Sequence, residues 1–314
     1  MARLIVNRLI QLVFVIVAVS SLLFVLMRAS GDPVSVLYGD IDNETRLKLR
    51  KELGFDDPLI VQYGRFWGDL LIPKFDARGN LRWFDFGDSL RARRPAMQVV
   101  LDNLGNTVQL ALVSLVLAVI VGIPLGIFSA ITRGLPSVFF MLMALILQST
   151  PSFFLGIILV LIFAVQLRVL PPFGYGTPAH YIMPAICLAA FPMARLARLM
   201  RSALLDVMSL DYIRTARAKG LSNSMVIIRH ALRNAMIPIV TAIGLDIAFL
   251  LSGSVIIENL FAWPGIGRQL VTSTFTRDYN VVQSIVFIIA IWIVAAFLLV
   301  DITYKWIDPR IKYD

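Results

Sequence analysis

Long apolar runs separated by short polar segments dominate this chain. Six of them approach or exceed the roughly 20 residues that an α-helix needs to cross the hydrocarbon core of a bilayer. The six predicted spans are Leu9–Met27, Thr107–Ile131, Val138–Val165, Tyr181–Met200, Ile237–Ile257 and Val281–Tyr304. An even number of spans places both termini on the same side of the membrane.

The composition supports this class of protein. Hydrophobic residues make up 58% of the 314 positions, which is more than the core of a soluble domain can bury. Arg3 and Arg8 resemble the start of a secretory signal, but the apolar run after them exceeds the roughly 7 to 15 residues of a signal core. We therefore interpret it as a retained first span and predict an all-α integral membrane protein with six transmembrane helices.

Basic residues are distributed unevenly among the connecting segments. If the N-terminus is cytoplasmic, the inner segments hold most of the Arg and Lys, including eight between Arg195 and Arg233, while the short outer loops hold only Arg168, Arg268 and Arg277. The positive-inside rule therefore predicts cytoplasmic N and C termini. The predicted domains are 1–28 (N-terminus and first span), 29–94 (an extracytoplasmic subdomain), 95–304 (a five-helix core with a cytoplasmic loop at 201–236) and 305–314 (a cytoplasmic tail).

The chemistry-bearing residues give no sign of catalysis. A formal net charge of +9 is also found in nucleic-acid-binding proteins, but membrane topology accounts for it here, and we expect no nucleic acid. Cys187 is the only cysteine, and His180 and His230 lie in different loops without the neighbours of a metal site. No phosphate-binding loop, HExxH or GxSxG motif is present. We predict a protein that is not an enzyme and binds no metal or cofactor itself.

The basic segment Asp211–Pro238 lies between two apolar runs. Gly220 can stop a helix, and Ser222 or Asn223 can cap a new one that runs toward Pro238. The apolar edge of that short helix would consist of Leu221, Met225, Ile228, Leu232 and Met236. Two interpretations remain open on physical grounds: a helix lying on the headgroups, or a helix that docks in a groove of a cytoplasmic partner.

The same segment resembles a known family. Tyr212–Gly220, followed by Arg229–Ala235, is similar to the conserved cytoplasmic loop of binding-protein-dependent ABC importer permeases, in the form found in the dipeptide and oligopeptide branch. Arg214 stands where the wider superfamily has glutamate, Thr215 replaces the first alanine, and Ala216 and Gly220 match. Arg233 occupies the position of a proline. These departures are typical of the peptide branch.

Further motifs of that branch occur in order along the chain. Clear matches are Pro151 with Phe153, Leu170–Tyr175, Glu258 with Phe261 and Trp263–Gly267, Arg277–Tyr279, and Asp308–Ile311. Looser matches are Glu52–Gly54, Gln62 with Tyr63, and Phe86–Ser89. The segment 72–83 departs from the usual spacing of the family.

The resemblance implies the type I ABC importer permease fold, as the first of two permease subunits. The implied partners are a second homologous permease in a heterodimer, two ATP-binding subunits that hold ATP and Mg, an extracytoplasmic substrate-binding protein, and the lipid bilayer of the inner membrane. The implied ATPase-coupling residues are Arg214, Thr215, Ala216, Ala218, Gly220, Met225, Ile228 and Leu232. The implied substrates are di- or oligopeptides, with nickel, glutathione or another small solute as the alternative.

Two features inside the predicted spans suggest functional or packing roles. Asp246 lies about mid-span, where a carboxylate usually faces a cavity or a partner, so it either lines the translocation path or pairs with the partner permease. Gly122 and Gly126 form a small-xxx-small pair that allows close helix packing. The family motif with Glu258, Pro264, Gly265 and Gly267 is expected in an external gate region.

Other transport classes fit the sequence less well. A secondary transporter usually shows internal repeats and broken helices in pairs, and we find no convincing repeat. A channel would leave the basic cytoplasmic loop unexplained, and an intramembrane enzyme needs a catalytic pair that the sequence lacks.

Overall fold

The fold was determined as a computed structural model. It describes residues 2–29, 42–52, 56–75, 81–82, 84–89, 91–132 and 134–307. Three predicted features lie wholly or partly outside the described residues: the family motif at Asp308–Ile311, the Leu53-Gly54 part of the first external motif, and positions 76–80 and 83 of the segment 72–83.

The described chain is almost entirely helical, as the sequence predicts. The helices are α1 (Ala2–Ala29), α2 (Asn43–Glu52), α3 (Leu59–Leu71), α4 (Ala96–Ile131), α5 (Leu135–Ser149), α6 (Ser152–Leu159), α7 (Ala179–Met208), α8 (Asp211–Ala218), α9 (Asn223–Met225), α10 (Leu232–Leu260), α11 (Ile266–Phe275) and α12 (Tyr279–Ile307). π-Helical segments follow α6 (Val160–Gln166) and join α9 to α10 (Val226–Ala231). Two short strands of two residues each, β1 (Lys74–Phe75) and β2 (Leu81–Arg82), pair antiparallel, with Lys74 opposite Arg82.

Five helical stretches of the described chain are long and apolar enough to cross a membrane, within α1, α4, α7, α9–α10 and α12. The sixth predicted span, Val138–Val165, is broken: α5 and the helix Ser152–Gln166 form a pair bent by 105°. Thr150 is extended (φ −83°, ψ 123°), the conformation that a following proline favours, and Pro151 has no N–H to continue the ladder. The apolar run was predicted correctly, but it is not one straight helix.

One helix begins well before its predicted span. α4 starts at Ala96 rather than Thr107. Its first turns contain Gln98, Asp102 and Asn103, which a search for apolar runs rejects. They are helical because Ala96, Val99 and Val100 form a buried face of those turns.

The chain divides into two compact units. The first comprises Met1–Gly105 and Gly265–Val294, and the second Asn106–Pro264 and Ala295–Asp314. These units follow packing, so the predicted domain boundaries, which concern sides of a membrane, stay predictions.

The first unit has two apolar clusters. In one, Ala96, Val99 and Val100 of α4 pack with Ile266 of α11 and with Val281 and Ile285 of α12. In the other, Leu70 of α3 and Phe287 of α12 are buried together with Phe86, which lies between β2 and α4, and Ile16 of α1 packs against them. The second cluster ties the segment between the first two spans to two membrane helices.

The second unit is built around α7. Within its apolar window 61% of the residues are buried, against 39% or less in the other spans, so α7 is the central helix. A Cβ on Gly122 would lie 2.6 Å from the Met193 carbonyl oxygen, and one on Gly126 would overlap the Ala197 carbonyl oxygen. Backbone contact of this kind requires glycine, which confirms the predicted close packing of α4.

Candidate functional site

The basic cytoplasmic loop folds as two helices joined by a glycine turn. α8 ends at Ala218, and Gly220 follows in the left-handed region at φ +79°. The Gly220 N–H donates to the Arg217 carbonyl (2.9 Å) and the Leu221 N–H to the Ala216 carbonyl (3.4 Å). This pair of bonds is the Schellman motif, which satisfies the last carbonyls of a helix. The predicted stop at Gly220 is confirmed.

The inner face of the loop is anchored in the second unit. Ile213 and Ala216 of α8 are buried in one cluster with Leu196 and Met200 of α7 and Val226 of the π-helical segment. Asn234 Nδ2 also donates to the Tyr212 hydroxyl at 2.8 Å, which links α8 to α10. The loop is therefore packed against the spans along this face.

The other predicted loop residues lie on the surface. Arg214, Thr215, Ala218 and Gly220 are all exposed. Arg214 makes a long contact with Asp211, 3.4 Å between Nη1 and Oδ1. Together with the exposed Arg217, Lys219, Arg229 and Arg233, Arg214 gives the loop a basic outer face.

The helix that was predicted to run toward Pro238 is longer than predicted. Ser222 caps its start, accepting from the Met225 N–H at 3.4 Å, as predicted. The helix then continues without interruption through Pro238 to Leu260. A proline inside a membrane helix removes one backbone bond but is tolerated where neighbours satisfy the freed carbonyl. The loop helix and the fifth predicted span are one element.

The predicted apolar edge of this helix is divided between the surface and the core. Met225 and Ile228 are 44% and 68% exposed, whereas Leu221, Leu232 and Met236 pack against the core cluster. The fully buried positions are instead Val226, Ala231, Ala235 and Ile239. The π-helical turn adds one residue to the spacing between the first two of these, so a stripe drawn at 3.6 residues per turn misses them.

Asp246 is completely buried and pairs within its own chain. Arg195 Nη2 of α7 donates to Asp246 Oδ1 of α10 and, at 3.0 Å, to the Ala242 carbonyl. Neither predicted role for Asp246 included this partner. Sequence reasoning missed Arg195 because it was counted with the basic loop, although it lies within the predicted fourth span. Whether Asp246 also lines a translocation path stays a prediction.

Part of the external motif forms an aromatic clasp in the second unit. Trp263 is fully buried, and its indole N–H donates to the Asn106 carbonyl at 3.0 Å, while Asn106 Nδ2 donates to the Pro264 carbonyl at 2.8 Å. Tyr175 and Tyr181 meet the indole edge-on, at centroid distances of 4.9 and 4.6 Å. The structure thus joins two motifs that are separate in sequence, Leu170–Tyr175 and Trp263–Gly267.

The other residues of the predicted gate motif, Glu258, Gly265 and Gly267, lie at the end of α10 and the start of α11. Glu258 is buried in the last turn of α10, and its carbonyl accepts the Trp263 N–H at 2.8 Å. Gly265 is extended at the start of α11, and Gly267 is buried in the first turn of that helix. Gating by these residues stays a prediction.

An apolar groove opens beside the clasp in the second unit. Its volume is about 510 Å³. The lining residues are Val113, Leu117, Pro178, Tyr181, Ile182, Ala185 and Ile186. None of these described lining residues carries a charge.

Comparison with known proteins identifies the family. Residues 122–313 match the family described as "Binding-protein-dependent transport system inner membrane component", and residues 1–111 match "Binding-prot-dependent transport system membrane comp, N-term". The chain is 38% identical over 316 residues, covering 100% of both chains, to the glutathione transport system permease protein GsiC of Salmonella paratyphi A (strain ATCC 9150 / SARB42). GsiC of Escherichia coli (strain K12) gives the same identity and coverage.

Solved structures support the fold. One is the MetNI methionine ABC transporter in an inward-facing conformation, with TM-score 0.58 and 18% identity, covering 68% of this chain and 97% of the other. A second is an amino acid ABC transporter, with TM-score 0.53 and 16% identity, covering 67% and 94%. The chain belongs to the binding-protein-dependent ABC importer permeases of the dipeptide and oligopeptide branch, and is a multi-pass inner-membrane protein with the type I permease fold.

Proposed function

We propose that this chain forms a transmembrane pathway together with a second, related permease and is driven by two ATP-binding subunits, one of which binds the basic loop of this chain. An extracytoplasmic binding protein delivers the substrate. Family membership gives the general partnership with an ATPase and a binding protein. The number of subunits, the heterodimer and the docking surface are part of the proposal.

The observation that carries this proposal is the exposed pair Met225 and Ile228 at the start of a continuous helix. Exposed apolar side chains at a helix end suit insertion into a groove of a partner. The basic face around them complements an acidic partner surface. Because the helix runs unbroken from Asn223 to Leu260, displacement of its docked end moves a membrane span with it. ATP-driven closure of the partners would in this way alternate the access of the pathway.

The test is to make the docking edge charged. Ile228→Glu and Met225→Glu are expected to abolish most ATP-dependent uptake in proteoliposomes, because a carboxylate cannot enter an apolar cleft without a partner. Leu135→Glu is the matched control: Leu135 is 85% exposed, precedes a span, and lies on the same predicted side but outside the loop. Full uptake by both loop variants would contradict the docking role.

We propose a short peptide as the substrate, with glutathione as the first candidate. The support is the full-length relationship to permeases of glutathione transport systems, because glutathione is itself a tripeptide. Uptake of labelled glutathione, a dipeptide, a longer peptide and Ni²⁺ should be compared in proteoliposomes that contain the cognate binding protein. Uptake of Ni²⁺ alone would overturn the peptide assignment and leave the coupling proposal intact.

A further inference from the structure

One edge of α3 is an exposed apolar stripe. Ile60 and Leu71 are 76% and 62% exposed, and Gly64 and Trp67 lie between them at the helical spacing i, i+4, i+7, i+11. A Cβ added at Gly64 would meet nothing within 4 Å. Ile72 and Phe75, both exposed, extend the stripe beyond the helix. Trp67 is partly covered, because it packs against the cluster of Leu70 and Phe287, whereas Ile60, Leu71, Ile72 and Phe75 keep most of their surface exposed.

The opposite edge of α3 is polar. Arg65 and Asp69 lie roughly half a turn around the helix from Ile60 and Leu71. Arg65 Nη2 pairs with Asp57 Oδ2 at 2.6 Å while more than half of its side chain remains exposed. α3 therefore has an apolar edge and a charged edge, with a third face buried between them.

The buried face fixes α3 near the end of a membrane span. The Tyr63 hydroxyl bonds Ser21 Oγ of α1 at 2.6 Å, and Phe24 of α1 packs on Tyr63 and Phe66 at centroid distances of 5.3 and 5.6 Å. The apolar window of α1 runs from Val6 to Leu26. At a rise of about 1.5 Å per residue, Ser21 lies about 7 Å inside the end of that window.

A second contact gives a depth that is about 5 Å greater. Leu70 of α3 is buried against Phe287 of α12, which lies about two turns after the start of that span. Interfacial helices bury their apolar face about 5 to 10 Å into the boundary between headgroups and acyl chains. The Ser21 anchor lies within that range and the Phe287 anchor slightly beyond it, so α3 is fixed near this boundary.

We propose that α3 is an interfacial membrane helix whose stripe, Ile60 to Leu71, lies against the lipid of the extracytoplasmic leaflet, with Arg65 and Asp69 toward water. Lipid is favoured over a protein partner because α1, the span to which α3 is bonded, itself exposes apolar side chains that include Val13, Phe14 and Leu22. Trp67 and Tyr63 are the residue types enriched at this depth. The proposal adds a membrane contact to the predicted extracytoplasmic subdomain 29–94, and it does not depend on the substrate.

Spin labels on the full-length chain test this placement. Cys187, the only cysteine, is first replaced by Ala, and single cysteines are introduced as Ile60→Cys, Leu71→Cys, Phe75→Cys and Arg65→Cys. Phe14→Cys serves as the lipid-facing reference. All five positions are exposed, so a nitroxide displaces no packed side chain. The protein is placed in nanodiscs of phosphatidylethanolamine and phosphatidylglycerol, and accessibility to O₂ and to a water-soluble nickel chelate is measured by power saturation.

The ratio of O₂ to nickel accessibility is expected to be several-fold higher at positions 60 and 71 than at position 65, and close to that at position 14. Nickel accessibility at 60 and 71 equal to that at 65 would overturn the proposal, because the stripe would then face water. Exclusion of both reagents from 60 and 71, unlike position 14, would also overturn it and would indicate a protein partner. Position 75 repeats the measurement if a label on the helix perturbs folding.

Discussion

Ser89 Oγ donates a hydrogen bond to Asp278 Oδ2 at 2.5 Å, although the two residues are 189 positions apart in the chain. Both are buried. Ser89 ends the loosely matching Phe86–Ser89 motif, and Asp278 is the centre of the Arg277–Tyr279 motif. Asn280 Nδ2 adds a second link by donating to the Asp88 carbonyl at 2.8 Å. The two motifs therefore form one hydrogen-bonded cluster in the first unit.

Removal of this hydroxyl should destabilise the protein. Ser89→Ala leaves a buried carboxylate without its donor, and the expected loss is about 1–3 kcal/mol. The buried thiol of Cys187 allows the measurement, because a fluorogenic maleimide reacts with it only as the protein unfolds on heating. Ser209→Ala is the control, since Ser209 Oγ donates to the Asp206 carbonyl at an exposed position. Equal melting temperatures for both variants would contradict a stabilising role for the cluster.

The Arg195–Asp246 pair predicts a specific pattern in a double-mutant cycle. Removal of either charge alone, by Asp246→Asn or Arg195→Met, leaves the other in the membrane interior and should cost about 3–5 kcal/mol. The double variant Arg195→Met with Asp246→Leu should recover most of this loss, because no unpaired charge remains. Thermal unfolding measured through Cys187 gives the stability of each variant.

Transport by the same double variant tests whether Asp246, besides pairing with Arg195, also lines the translocation path. If the pair only joins α7 to α10, uptake recovers with stability. If Asp246 also lines the translocation path, stability recovers and uptake does not. Equal stability of the two single variants and the unmodified protein would contradict the structural pairing itself.

Substitutions at Gly220 and Ala262, which end α8 and α10 in the same way, should change the stability of the protein in opposite directions. Both occupy the left-handed position after a helix, at φ +79° and +52°. At the end of α10 the Ala262 N–H donates to the Asn259 carbonyl and the Trp263 N–H to the Glu258 carbonyl. This is the same pair of bonds that closes α8. Gly220→Ala should destabilise by about 1 kcal/mol, and Ala262→Gly should stabilise by a similar amount, because a Cβ is strained in this conformation. The melting temperatures of the two variants should shift in opposite directions, and a shift of the same sign would be inconsistent with the Schellman geometry.

The glycines of α4 predict a difference between two identical substitutions in one helix. A Cβ added by Gly126→Ala would overlap the Ala197 carbonyl oxygen, whereas a Cβ added by Gly105→Ala would meet nothing within 4 Å. Gly126→Ala should separate α4 from α7 and lower the stability of the protein. Gly105→Ala should raise the stability by about 1 kcal/mol, because alanine favours the helix over glycine by that amount. A thermal melt of both variants checks this. Tolerance of Gly126→Ala without loss would show that α4 packs less closely than described.

The membrane spans and the family were predictable from local pattern because each depends on short stretches of sequence. Runs of apolar residues give α1, α7 and α12 to within a few residues at most ends, except where α1 and α7 extend through polar or charged turns. The start of α4 was not predictable in this way, since its polar first turns are helical only through contacts with Ile266 and Ile285, distant in sequence. The unbroken helix from Asn223 through Pro238 was missed because proline and a basic segment both suggest a boundary.

The sequence by itself determined the class of protein, the number of apolar runs, the asymmetry of basic charge and the branch of the family. Transfer of apolar side chains into lipid is a property of each segment alone, so it can be read without knowing the fold. The tertiary structure alone decided which charge neutralises Asp246, that Ser89 meets Asp278, and which edge of α3 remains uncovered. Those outcomes depend on the relative positions of elements far apart in the chain, and a buried polar group is satisfied by whichever partner packing brings to it.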